Sequence, residues 1–136
     1  MKLLMFNTGE FWYRTYSKTI ENTESISKEE TVKDSLVIFI HVEKEDEEKA
    51  GEIAKKAVDN IAWLARKTSR SKIVLHSFAH LSNSKSSVEF AQIMLEKIQS
   101  GLKSNGYEVI TTPFGYFLEF QIHIMGESLA KVWKAL

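Results

Sequence analysis

The order of apolar and polar positions divides the chain into short β-like runs and two long helical stripes. Lys2 to Asn7 is apolar and strand-length, and Thr8-Gly9-Glu10 follows as a turn signal. Phe11 to Tyr16 is aromatic and β-prone, so the two runs together predict a hairpin or strand pair. Residues 17–33 are polar and read as a connecting loop. Leu36-Val37-Ile38-Phe39-Ile40 is continuously apolar, as in a strand buried on both faces. Glu43 to Lys49 is a charged turn into a helix over about residues 47–67, whose stripe is Ile53, Ala57, Ile61, Leu64 and Ala65. Lys72 to Leu75 is another short buried strand. Ser86 and Glu89, three apart, have the spacing of a capping box. The helix behind them sets Val88, Ala91, Met94, Leu95, Ile98 and Leu102 on one face. Asn105-Gly106 supplies residues that tolerate the left-handed conformation at its end. Tyr107 to Thr111 is a strand, Pro113 and Gly115 mark a tight turn, and Tyr116 to Ile124 is a long strand. Ser128 to Leu136 is expected to be a last short helix. The order β-β-β-α-β-α-β-β-α predicts an α/β fold: one domain over residues 1–136, with a mixed sheet and the two long helices packed on a face.

Composition narrows the class. Apolar residues make up 43% and charged residues 26% of 136, close to globular averages, and no repeat or low-complexity segment interrupts them. The absence of cysteine removes disulfides, thiolate metal sites and cysteine nucleophiles. The N-terminal segment lacks the apolar core of a signal peptide, and no stretch reaches the roughly 20 apolar residues of a membrane span, so a soluble, cytoplasmic protein is expected. Lys+Arg and Asp+Glu are each 18, and this zero net charge argues against a general nucleic-acid binder. It is compatible with a domain that handles only the end of an RNA.

Two segments could carry chemistry. Ser77-Phe78-Ala79-His80-Leu81-Ser82 follows a strand directly, where ligands gather in α/β sheets; the plainer alternative is a loop in which His80 satisfies buried polar groups. In Pro113-Phe114-Gly115-Tyr116-Phe117, a glycine between aromatics lets the backbone approach a ligand, although an ordinary turn reads the same way. The histidines His41, His76, His80 and His123 are not expected to hold a metal. Arg66, Lys67, Arg70 and Lys72 form a basic cluster, most simply a solvated helix end. No phosphate-loop or dinucleotide motif is present, so no cofactor is expected.

Taken together, the two segments carry a resemblance. Ser77 to Ser82 resembles the "PFAHLS" segment, and Pro113 to Phe117 the "PFGYY" segment, of the archaeal threonyl-tRNA synthetase N-terminal editing domain. Their separation is similar, as are Val42-Glu43-Lys44 and the Gly126 with Ser128-Leu129-Ala130, so the resemblance covers essentially the whole chain. It implies a fold like that of D-aminoacyl-tRNA deacylases, a homodimer, and hydrolysis of L-serine from Ser-tRNA(Thr), acting on the aminoacylated 3′ end. One methyl separates serine from threonine and is worth only about 1–3 kcal/mol, which explains the need for a second, hydrolytic sieve. The resemblance implies that main-chain groups of the two loops hold the substrate while the ribose 2′-hydroxyl assists a water. The backbone of Ala79 and the side chain of His80 are then the catalytic candidates. Ser77, Phe78, Phe114, Gly115, Tyr116 and Phe117 bind substrate, Tyr116 and Phe117 shaping the adenosine pocket.

Several positions depart from the family pattern. Leu118 stands where the family has lysine, Lys131 where it has glutamate, Glu127-Ser128 for His-Pro, Ser77 for proline, and Phe6-Asn7-Thr8 for an "HSD"-like opening. Lys131 becomes a candidate to restore the missing positive charge. No synthetase catalytic domain is present in the 136 residues, so the chain is expected to be a freestanding relative or an excised domain; the altered site favours the freestanding relative, acting in trans, with a synthetase catalytic subunit as an expected partner. Two further readings stay open: an impaired relative that binds tRNA ends or a partner, and a deacylase of changed specificity.

Overall fold

The computed structural model describes residues 1–136. Its core is a six-stranded mixed sheet. The strands are β1 (Lys2–Lys18), β2 (Glu29–His41), β3 (Lys72–Ser77), β4 (Glu108–Thr111), β5 (Tyr116–Ile124) and β6 (Lys131–Ala135). The helices are α1 (Ala50–Thr68) and α2 (Val88–Ser104). The strand order is β4-β3-β2-β1-β5, and β6 also pairs with β1. β2, β3 and β4 run parallel, and each step crosses over through one helix. A right-handed crossover returns its helix to the same side, so both helices cover one face. There Leu3, Met5, Leu36, Ile38, Ile40, Ile73 and Leu75 meet Ile53, Ile61, Leu64, Met94, Ile98 and Leu102 in the main core.

Three sequence expectations are corrected. Residues 2–18 form one strand, not a hairpin pair, and its Lys2 to Arg14 stretch runs antiparallel to β2. The Thr8-Gly9-Glu10 turn signal marks a β-bulge: the β1–β5 register shifts between Thr8 and Glu10, and Asp34 of the opposing β2 has a φ of 50°. An added Cβ at Gly9 would lie 2.9 Å from Nδ1 of the exposed His123, whose side chain would have to shift to admit it. The bulge also changes which residues face which side. Before it, Leu3 and Met5 join the helix-covered core; after it, Phe11 and Tyr13 join a second cluster with Val32, Val37, Phe39 and Val74. β2 makes the same switch at Asp34, since Leu36, Ile38 and Ile40 face the helices while Val32 does not. Beyond the bulge the sheet curls, and Phe120 of β5 reaches Phe39 of β2 at 5.6 Å between ring centroids.

The polar stretch 17–33 is the second correction, because only residues 19–28 lie outside strands. Its flanks pair across the sheet, with Trp12 Nε1 donating to Glu29 Oε2 at 2.7 Å and Tyr13 donating to Glu30 Oε2 at 2.8 Å. The third is the C-terminus, which is a strand. Ser128–Ala130 makes one 3-10 turn, and Lys131–Ala135 then pairs with Lys2–Phe6. β5 occupies that edge of β1 only from Thr8 onward, so the first half of β1 was left open. An unpaired strand edge recruits an alternating segment more strongly than a short helix propensity can resist. A smaller shift concerns α2, whose N-cap is Ser87, its Oγ accepting from Phe90 N–H at 3.2 Å. The expected cap, Ser86, is instead pinned to Val42 O through its own N–H.

Candidate functional site

Two connections meet at the C-terminal end of β3. The first, residues 77–87, links β3 to α2 and is sewn down over its length. Phe78 N–H donates to Ile40 O at 2.9 Å, and Ser86 N–H donates to Val42 O at 3.2 Å. Between these points the fully buried His41 acts as a clamp. Leu81 N–H donates to His41 Nδ1 at 2.9 Å, so that nitrogen carries no proton. His41 Nε2 therefore holds the proton and donates to Ser84 O at 2.6 Å. Ser82 Oγ donates to Glu43 Oε2 at 2.8 Å. Burial alone would raise the Glu43 pKa, but hydrogen bonds from Lys2, the Met1 amino group and Ser82 outweigh it and bring it down to about 2. The loop is thus anchored by a neutral histidine at the end of β2 and an ionised carboxylate two residues beyond it.

The second connection, residues 112–115, turns from β4 into β5. Gly115 has a φ of 84°, and a Cβ there would lie 2.7 Å from Thr23 Oγ1. Its carbonyl accepts from Thr19 N–H at 2.8 Å. Tyr116 accepts from Ile26 N–H at 2.7 Å and donates to Glu24 O at 2.5 Å through its hydroxyl, which fixes the 19–28 segment beside the turn.

Between the two connections lies a cleft of about 330 Å³. Ser77, Phe78, Ala79 and His80 line one wall, and Phe114, Gly115, Tyr116 and Phe117 the other, so eight of the nine candidate residues meet in one place. Lys131 does not join them: it begins β6 opposite Phe6, and its Nζ donates to Met125 O at 3.3 Å. Neither the Ala79 nor the Phe114 N–H donates to another group of the chain, so both remain open to a ligand. The His80 ring stands edge-on to Phe78, with centroids 4.9 Å apart. Leu118 and Phe120 of β5 also line the cleft, and Leu118 packs on the second apolar cluster. The position expected to carry a lysine is therefore an apolar one.

Three contributors were not singled out as site residues by sequence reasoning. His41 lies inside an apolar run and shows its role only through contacts across to residues 81 and 84. Lys85 lines the cleft from a serine-rich stretch that carries no motif. His76, four residues before His80, sits at a strand end and shares a 2.9 Å hydrogen bond with Thr112 Oγ1. Burial, and secondarily the nearby His80, pushes the His76 pKa down to about 4, so its ring is neutral near pH 7. The cleft holds no aspartate or glutamate. The groups the cleft offers are backbone dipoles, imidazoles, hydroxyls and the Lys85 ammonium.

A family model described as the archaea-specific editing domain of threonyl-tRNA synthetase matches residues 1–136. The chain belongs to this family. This editing domain is 36% identical over 139 residues to a threonine--tRNA ligase of Pyrococcus horikoshii and 35% identical to that of Pyrococcus furiosus, in each case covering 100% of this chain and 22% of the relative. The enzyme of Methanopyrus kandleri is 35% identical over 133 residues, covering 97% of this chain and 21% of the relative. The editing domain thus spans about a fifth of the length of these curated relatives. Among solved structures, it shares its fold with the c-Myc DNA Unwinding Element Binding Protein, with a TM-score of 0.66 at 12% identity, covering 100% of this chain and 99% of that one. The fold class expected from sequence holds: a single α/β domain with a mixed, curled sheet and two helices on one face.

Proposed function

We propose that the editing domain hydrolyses the ester of seryl-tRNA(Thr) in the cleft between residues 77–80 and 114–117. The observation that carries this reading is the convergence of two loops, more than 30 residues apart in sequence, on one carboxylate-free cleft with open backbone N–H groups. In this reading the Ala79 and Phe114 N–H groups orient the substrate, and the aromatic walls, Phe117 among them, receive the terminal adenosine. Stacking of a base on such a ring contributes about 1–3 kcal/mol. Water attacks the ester carbonyl carbon, the bond to the ribose oxygen breaks, and that oxygen takes up a proton. Free serine and tRNA result. With no carboxylate in the cleft, His80 and the substrate's own 2′-hydroxyl are left to guide the water. Lys131 takes no part in this scheme. The working unit is proposed to be a cytoplasmic homodimer that meets the acylated 3′ end beside a synthetase catalytic subunit.

The packing of Leu118 favours one competing reading, a relative that binds acylated ends without hydrolysing them. Incubation of the pure protein with Ser-tRNA(Thr) and Thr-tRNA(Thr) separates the two. Selective loss of the seryl ester above a buffer blank is expected. Retention of both esters by well-folded protein overturns the hydrolytic reading, and loss of other esters in a panel of charged tRNAs would reassign the substrate.

A further inference from the structure

Lys85 is the one Lys, Arg, Asp or Glu side chain among the residues lining the cleft. It also lines an adjoining cleft of about 250 Å³, whose wall it shares with Ser77, Ala79 and Phe114. Its backbone is held on both sides, through the Ser84 carbonyl by His41 and through the Ser86 N–H by Val42. Its ammonium enters none of the ion pairs of the chain, a condition it shares with other surface lysines; what sets it apart from them is its place on the cleft wall. A fixed root, an uncommitted charge and a place on the wall between two clefts describe a side chain set aside for a ligand.

The charge of the ligand selects what that group contacts. An aminoacyl ester on a terminal adenosine carries a cationic α-amino group, a neutral ester and neutral sugar hydroxyls. Its nearest anion is the phosphodiester on the 5′ side of the adenosine. A lysine aimed at the amino acid would repel it, and one aimed at the phosphodiester forms a charge-assisted hydrogen bond, for which a flexible point charge is suited. We propose that Lys85 is the phosphate contact of the cleft, pairing with the phosphodiester that precedes the terminal adenosine of an RNA end. The assignment rests on the hydrolytic reading for its class of ligand. It differs in requiring only binding of the end, not turnover.

Binding of adenosine and of the dinucleotide cytidylyl-adenosine, measured by calorimetry at low salt, tests it apart from catalysis. The wild-type protein is expected to prefer the dinucleotide about tenfold, the scale of one charged hydrogen bond. Lys85→Ala removes that preference with little effect on adenosine, and Lys85→Arg keeps most of it. The slope of log affinity against log salt falls by about 0.7 in Lys85→Ala, as for one lost contact to a single strand. No preference in the wild type, or Lys85→Ala weakening both ligands equally, overturns the assignment. A Lys85-dependent preference in a protein that hydrolyses no ester upholds the phosphate contact and removes the hydrolytic reading; turnover without that preference does the reverse.

Discussion

His41 Nδ1 accepts the Leu81 N–H at 2.9 Å across 40 residues of sequence, and this bond fixes both the tautomer of the histidine and the path of the loop beneath the cleft. The opposite ring nitrogen holds Ser84 O, so a single buried side chain bridges both ends of the tetrapeptide 81–84. The loop's shape is therefore set by β2 rather than by its own sequence. His41→Ala is expected to strand the Leu81 N–H and open a cavity, costing about 2–4 kcal/mol. Urea denaturation measures that cost. Deacylation by the folded fraction is expected to fall by about 100-fold, because small displacements of positioning groups are expensive in rate.

His76 makes stability depend on pH. In the unfolded chain it protonates near its ordinary 6.5, and in the fold only near 4. Between these values the unfolded state binds more protons, so stability falls as the pH falls through this window, by up to about 3 kcal/mol. Chemical denaturation at pH 7, 5.5 and 4 reads the slope. His76→Gln is expected to flatten it over the same range, and an unchanged slope would place its origin elsewhere.

Gly115 stands at a positive φ with Thr23 Oγ1 in the path of any Cβ. Gly115→Ala is expected to cost about 1–2 kcal/mol, from left-handed backbone strain and the clash. Gly51, with nothing within 4 Å of its would-be Cβ and a place in the first turn of α1, is the control. Gly51→Ala is expected to stabilise by about 0.4–1 kcal/mol, chiefly by restricting the unfolded chain. Thermal melts of the two variants should move in opposite directions.

Leu118→Lys returns to the cleft floor the lysine that the family pattern places there. The leucine packs on the second apolar cluster, so the exchange is expected to destabilise by about 1–2 kcal/mol. A cation facing the developing negative charge of the ester is expected to raise the deacylation rate about tenfold. Single-turnover rates on Ser-tRNA(Thr) provide the measurement. A slower variant would show that the apolar floor is part of this site's design.

The two walls of the candidate cleft could be read from residue order alone. The segments 77–82 and 113–117 each combine a strand boundary with residues suited to backbone exposure, and they face one another across the cleft. The parts that could not be read act at long range. The role of His41 depends on a loop 40 residues away, and Lys85 lies in a stretch whose composition says only that it is polar. Lys131 illustrates the converse error: its position in the family pattern suggested a charge for the site, but pairing of β6 with the first half of β1 places it outside the cleft.

By itself the sequence determined the two helices, the parallel β2-β3-β4 unit and the strand from Tyr116 to Ile124, because each of these is encoded by a local period of apolar residues and closed by local caps and turns. Only the tertiary structure decided the bulge and the C-terminal strand. At Gly9 and Asp34 the alternation of both long strands slips by one residue, which in sequence looks like a turn but in the sheet exchanges the inward and outward faces. At Lys131–Ala135 the open edge of Lys2–Phe6 supplied hydrogen-bond partners that no local pattern could announce. Both outcomes rest on backbone groups satisfied by distant strands, and that energy is absent from any short window of the chain.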